Sequence, residues 1–299
     1  MRYSSIAAIL CAFSLFPLAA GAFAQRLVVT AEGRHGAAAP LLMKDDVSVE
    51  VNKSPAAIDE WIPLRGAELA WLELYIVIDD GDDTELGVQF NSLKAFMNAQ
   101  PDTTWIGLAY LRNGAANIVA PLSKDHAETT KALRLPMGQA GIAASPYVGI
   151  SDLVKKWPAD GTRHEILLIS SGIDPWSPPD PANPYLHTAI VDAQGRGVLV
   201  HSIYYGVEGH LGHSYSRINW GQNYLSELGD ATGGEAYWQG FGNPVSFDAY
   251  LKDLAERLQN QYLLSVKQTD AKSGLQPVRV MTGNSHVSLV SASMIYLPK

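Results

Sequence analysis

Hydrophobic and polar positions alternate along the chain in blocks. Leu72-Glu73-Leu74-Tyr75-Ile76-Val77-Ile78 is an apolar run of strand length that leads straight into Asp79-Asp80-Gly81-Asp82-Asp83. Such a run reads as a strand buried on both faces, so the acidic residues mark where it surfaces. Leu86, Phe90, Leu93 and Met97 then recur at helical spacing, with Asp82 and Glu85 placed for a capping box. Trp105–Leu111 and Asn117–Leu122 read as strands joined by the turn Arg112-Asn113-Gly114, and Ser123 opens a helix toward Leu133. Ser145-Pro146 reads as an N-cap followed by proline at the first helical position, starting a helix through Trp157. Glu165–Ser170 and Val198–Tyr205 are further strands, separated by a Pro-rich loop from Pro175 to Pro184 and a helix ending near Gly195. A long loop, Gly206–Ile218, precedes a helix from Asn219 to Ala231 that stops at Thr232-Gly233-Gly234. Ser246 caps a last helix whose face carries Phe247, Leu251, Leu254 and Leu258.

This alternation predicts an α/β fold over residues 67–260, a central, mostly parallel sheet flanked by helices. The flanks, 25–66 and 261–299, lack helical period and carry strand-like runs such as Val278-Arg279-Val280 and Val287-Ser288-Leu289-Val290. They predict a small β-module built from both ends of the chain. No internal repeat of useful length is visible.

The start of the chain reads differently. Arg2, the apolar run Ile6–Leu18 and the small-x-small pattern Ala22-Phe23-Ala24 predict a signal peptide over residues 1–24. The run is short for a bilayer span and no later segment supplies one, so the expected location is periplasmic or extracellular. Cys11 is the only cysteine and falls inside that segment, which removes disulfides, thiolate catalysis and cysteine–metal sites from the expected mature chain. Of the 299 residues 47% are hydrophobic and 17% charged, the profile of a folded protein. A formal charge of −8, without a long basic patch, argues against nucleic acid as a partner.

Four stretches resemble the von Willebrand factor A (VWA) domain, in particular exported bacterial variants with β-extensions at both ends. Tyr75-Ile76-Val77-Ile78-Asp79 resembles the first strand and its terminal Asp. Arg163 to Asp174, reading R-H-E-I-L-L-I-S-S-G-I-D, resembles the central strand. Tyr224 to Gly234 resembles the helix ending A-x-x-T-G-G, and Leu258 to Leu264 resembles the exit into the C-terminal strand. Together they span about Leu72 to Val266. The resemblance implies a Rossmann-like sheet, a protein-binding role without enzymatic activity, and a cation site above the carboxyl ends of the strands. That site takes Asp-x-Ser-x-Ser, a Thr from a second loop and an Asp from a third. Here Asp79 is kept, Gly81 and Asp83 stand at the two serine positions, Ser145 is the counterpart of the Thr, and Ser171 replaces the third-loop Asp. The metal site therefore reads as degenerate, and no cofactor is expected.

Two alternatives stay open at this point. One is divalent-metal-dependent adhesion through magnesium, calcium or manganese, with Asp83 compensating for a lost ligand. The other is a metal-dependent hydrolase using His210 and His213 with an acidic residue. Read as binding equipment instead, the Gly206–Ile218 loop offers His210 and His213 with Tyr215, Arg217 and Trp220 nearby, and the Pro-rich loop offers Trp176. Trp176, His210, His213 and Trp220 are thus the candidate contacts for a protein partner. For Asp79–Asp83 the competing assignment is an acidic helix-capping loop, and for Ser145 an ordinary N-cap.

Overall fold

The computed structural model describes residues 26–65, 71–138, 144–157, 163–267 and 272–297, with His35 and His210 described by their backbone alone. The signal peptide expected over 1–24 lies outside the described residues. Four strands come first: β1 (Arg26–Gly33), β2 (Val47–Val51), β3 (Ser54–Ala56) and β4 (Ile58–Pro63). The α/β body runs β5 (Leu72–Asp79), α1 (Phe90–Asn98), β6 (Thr104–Arg112), β7 (Ala115–Ser123), α2 (His126–Thr130), α3 (Pro146–Lys156) and β8 (Arg163–Ser170). It continues through α4 (Pro184–Arg196), β9 (Leu199–Tyr204), α5 (Tyr215–Thr232), β10 (Ala236–Tyr237) and α6 (Asp248–Gln259). Strands β11 (Gln261–Val266), β12 (Gly274–Thr282), β13 (Val287–Ser291) and β14 (Met294–Leu297) come last.

The central sheet has the order β10-β9-β8-β5-β6-β7. Every neighbouring pair is parallel except β6–β7, which the Asn113-Gly114 turn folds back antiparallel. Both turn residues have positive φ, 54° and 73°, as a two-residue hairpin of this hand requires. Numbered from β5, the order is 3-2-1-4-5-6, that of a doubly wound sheet, and it reverses between β5 and β8. Side chains of β5 explain why helices cover both faces. Tyr75 and Val77 join Tyr147, Ile150, Leu186 and Leu225 on the side of α3, α4 and α5. Leu74, Ile76 and Ile78 point the other way, to Leu93 and Met97 of α1 and Leu251 and Leu254 of α6. Each such side chain, removed from water, contributes about 1.5–3 kcal/mol to folding.

Strands from the two ends of the chain interleave in two more sheets, β13-β1-β11-β4 and β14-β12-β2-β3. Leu27, Val29 and Leu264 of the first sheet share a core with Val49, Val51, Val278 and Ile295 of the second. The hairpin between β2 and β3 turns at Asn52 and Lys53, both at positive φ.

Several local assignments differ from the pattern in the sequence. Helix α5 starts at Tyr215, four residues before the expected Asn219, because the Ser214 hydroxyl accepts from the Arg217 amide. The helix expected from Ser123 is only the five-residue α2, capped by Asp125 through the Glu128 amide at 2.9 Å. No Asp82–Glu85 capping box forms. Asp83 accepts from the Glu85 amide at 2.8 Å and starts a 3-10 turn over Thr84–Gln89 ahead of α1, while Asp82 turns inward. The Thr232-Gly233-Gly234 stop has a physical cause at each glycine. Gly233 ends α5 at φ 83°, and a Cβ on Gly234 would lie 2.1 Å from the Val200 carbonyl oxygen.

Candidate functional site

The carboxyl ends of β5 and β8 meet where the strand order reverses, the place at which open α/β sheets bind ligands. Asp79 ends β5 there. Its Oδ1 accepts from the Gly81 amide at 2.9 Å and its Oδ2 from the Ser170 hydroxyl at 2.9 Å. Asp80 faces away into a bidentate pair with Arg134, at 2.6 and 2.8 Å, and the Arg134 guanidinium lies 3.8 Å over the Tyr110 ring. Asp82 is wholly buried. Its Oδ1 accepts from the Ser171 amide at 3.2 Å and its Oδ2 has no protein partner. Burial pushes the Asp79 carboxyl up to about 6, opposed by its two donors. Burial also drives the Asp82 carboxyl well up, and the neighbouring Asp79 charge adds to it. A single acidic run thus holds four different carboxylates: one ion-paired, one capping, and two buried with raised pKa values.

The opposite wall is built on Asp174. Gly172 turns the chain at φ 66° and brings Asp174 back to the N-terminus of α3, buried. There its Oδ2 accepts from the Ser145 hydroxyl at 2.8 Å and the Asn183 amide group at 2.9 Å, and its Oδ1 from the Trp176 amide at 2.8 Å. Ser145 occupies the N-cap position of α3 but makes no capping bond, because its hydroxyl is committed to Asp174. Asp174 thus holds the N-terminus of α3 through Ser145, without lining the gap beside Asp79. Ser171 is a turn residue, its hydroxyl accepting from the Ile173 amide at 3.2 Å.

Between these walls, Asp79, Ser171, Ile173, Pro175, Val207 and Leu211 line a cavity of about 10 Å³, room for one water-sized body. A hard divalent cation takes six or more oxygens. Asp79 alone brings a carboxylate to this gap, Gly81 brings no side-chain oxygen, and Asp83 Oδ1 serves as a helix cap. Among the described residues no three His, Cys, Asp or Glu side chains stand together as a metal-binding group. His213 is exposed at the end of a 3-10 turn, Gly209–His213, and the His210 side chain lies outside the described set.

Other candidates separate into core and surface. Trp220 is half-buried, its ring 5.6 Å from Tyr224 in the α4–α5 layer, so packing occupies most of it. Trp176 is 49% exposed, held edge-on to Tyr185 at 5.6 Å. The sequence reading missed Phe241 entirely and gave Tyr215 only a place nearby. Tyr215, 72% exposed, meets Phe241, 51% exposed, edge to face at 5.6 Å. Both belong to segments that follow the carboxyl ends of β9 and β10. The loops are tied together by Asp83 N–H to the Gly206 carbonyl at 2.8 Å and Gly206 N–H to Asn243 Oδ1 at 2.6 Å. A signal for Tyr215 and Phe241 did exist: aromatic residues next to Gly and Ser in segments following strands.

His201 is a buried, hydrogen-bonded residue of β9. It bonds Glu165 at 2.9 Å and accepts from the Glu235 amide at 3.1 Å. Burial pushes the Glu165 carboxyl up, but Arg163 at 2.8 Å and His201 outweigh it and hold it below its usual value.

The doubly wound order with its one antiparallel strand, and the site at the reversal point, define a VWA-type fold. Solved structures similar to the chain include an aerotolerance-related membrane protein from Bacteroides fragilis, at 12% identity over 62% of this chain and 98% of that one, TM-score 0.46. BatB from Bacteroides thetaiotaomicron is similar at 12% identity, 63% and 97% coverage and TM-score 0.41. The SpRpn10 VWA domain is similar at 10% identity, 62% and 94% coverage and TM-score 0.34. The strand order, not these low scores, defines the fold type, and no role passes from those proteins to this chain. A scan of protein-family models and a search of curated proteins found no match.

Proposed function

We propose that this chain is an exported, non-enzymatic interaction module that binds a protein partner through the loops at the carboxyl edge of its sheet, without requiring a divalent cation. The observation that carries this reading is the pair of exposed aromatic anchors on that edge, Trp176 and the Tyr215–Phe241 pair, set on loops cross-tied by hydrogen bonds. Large aromatic side chains on a rigid support are what protein interfaces use as anchors, because little entropy is lost when they are covered. The donors around Asp79 support metal independence: both Asp79 oxygens accept hydrogen bonds from the protein, and the Ser145 hydroxyl is bonded to Asp174.

A photo-reactive amino acid placed at position 176 or 215, with position 296 on the β-sandwich as control, tests the reading in cells that produce the chain. Discrete cross-linked adducts should form from 176 and 215 but not from 296, and excess EDTA should leave them unchanged. Adducts that vanish with EDTA would establish the metal-dependent alternative instead. Adducts equal at all three positions, or none, would overturn the surface assignment.

A further inference from the structure

A second surface lies at the same edge, around the segment that follows β5. Val88, Leu135 and Met137 are 70%, 51% and 41% exposed. The Leu135 side chain lies over Gly87, next to Val88: a Cβ on Gly87 would come 2.6 Å from Leu135 Cδ2. Met137 is fixed by its amide, which donates to the Asp80 carbonyl at 3.0 Å. Apolar side chains held out in this way on ordered backbone mark a contact surface rather than a frayed loop.

Carboxylates rim these residues, and the adjoining Arg134 is ion-paired. Glu208 Oε1 accepts from both the amide and the hydroxyl of Thr84, at 3.3 and 3.0 Å, which fixes its carboxylate over Gly138. Gly138 has φ 61°, and a Cβ there would come within 2.4 Å of that carboxylate. Asp83 and Glu85 continue the acidic rim across the 3-10 turn, with the Glu85 side chain exposed. Arg134 is the cation adjoining Leu135, and Asp80 neutralises it bidentately. An apolar centre with an acidic rim is complementary to a segment carrying apolar and cationic residues together.

We infer that Val88, Leu135 and Met137, rimmed by Asp83, Glu85 and Glu208, form a docking surface for a basic amphipathic segment of the partner protein. This inference rests on the edge-binding reading above and adds the partner's chemistry to it.

The probe is a labelled 18-residue peptide with leucine and lysine at helical spacing, titrated against the purified chain by fluorescence anisotropy at low and moderate salt. Comparison peptides replace every lysine by glutamate, or every leucine by glycine. The Leu/Lys peptide should bind at least roughly ten-fold more tightly than either comparison peptide, and its affinity should fall as salt rises. Glu85→Lys should weaken it by roughly three- to ten-fold, and so should the pair Val88→Ser and Met137→Ser. Glu208→Gln provides a milder variant that keeps an acceptor for Thr84, in case a charge reversal there disturbs the loop. Asp45→Lys with Asp46→Lys, on the β-sandwich, is the control for net charge and should change affinity by less than about two-fold. Equal weakening by that control, or equal binding of the Leu/Glu or Gly/Lys peptide, would overturn the inference. Cross-links from 176 and 215 that persist while the peptide shows no preference would show that the edge binds a partner of other chemistry. Loss of both would remove the edge-binding reading itself.

Discussion

Asp79 and Asp82 lie three residues apart, and their titration ties the site to stability. A carboxyl raised from 3.8 to about 6 binds more protons in the folded than in the unfolded state between those values. Stability therefore falls as pH rises through that window, and above about pH 6 the full penalty is present. Asp79→Asn removes the charge, and the Ser170 hydroxyl can reverse to keep a bond. The variant should match or trail the parent near pH 4 and exceed it by about 1–3 kcal/mol above pH 7, measured by urea unfolding across the range. A stability difference independent of pH would refute the assignment. The location of this site was legible in the sequence, since an apolar run ending in carboxylates has to surface. The division of labour among Asp79, Asp80, Asp82 and Asp83 was not. It depends on Arg134, 54 positions from Asp80, and on Ser171, 89 positions from Asp82. Neither contact leaves a periodic trace.

Elements were legible wherever their periodicity was long. β5 and α6 announced themselves by apolar runs and spacing and α3 by the Ser145-Pro146 start, although Ser145 does not form the expected N-cap bond. The start of α5 did not, because Ser214-Tyr215-Ser216-Arg217 reads as loop until the Ser214 cap is seen. Strand β7 shows how an edge is protected. The Asp152 carboxylate accepts from the Ala116 amide at 2.9 Å, Lys156 donates to the Ala116 carbonyl at 3.2 Å, and Pro121 interrupts the strand further along. These devices deny a neighbouring chain a continuous ladder. Inside the sheet the tightest constraint is Gly107 of β6, whose Cβ would lie 2.2 Å from Tyr75 Cε1. The Tyr75 ring crosses the strand at that glycine, and the β6–β7 register shifts between Ile106 and Leu108. Gly107→Ala should destabilise the chain by about 1–3 kcal/mol, and adding Tyr75→Leu should recover part of the loss. Denaturant midpoints of the two variants measure this; a neutral Gly107→Ala would mean that the ring is free to move aside.

At the scale of the whole molecule the question is whether the β-sandwich and the α/β body unfold together. Their connections are numerous and of different kinds. α6 passes into β11 through the single residue Asn260, so the last helix of one part and a strand of the other share a rigid lead. Arg257 on α6 binds Glu32 of β1 at 2.5 Å, Glu235 at 2.6 Å and Asp253 at 2.8 Å, and it is mostly buried. Gln194 of α4 donates to the Ser293 hydroxyl at 3.2 Å, and the Ser293 amide donates to the Ala231 carbonyl at 3.2 Å. Gly233 is so close to Ala292 that a Cβ would lie 2.6 Å from its amide nitrogen. Breaking the Arg257 cluster would strand a buried charge, at a cost of about 3–5 kcal/mol, and neither part could relax without exposing apolar surface at the junction. The chain should therefore unfold in one transition by calorimetry, with tryptophan fluorescence and far-ultraviolet dichroism coincident. Arg257→Met, which keeps the bulk and removes the charge, should lower that transition and split it in two if the cluster is the main coupling. A lowered but single transition in the variant would assign the coupling to the Asn260 lead and the Gly233–Ala292 contact. Two transitions in the parent chain would show that the β-sandwich is an independent module, carried by the interaction domain rather than built into it.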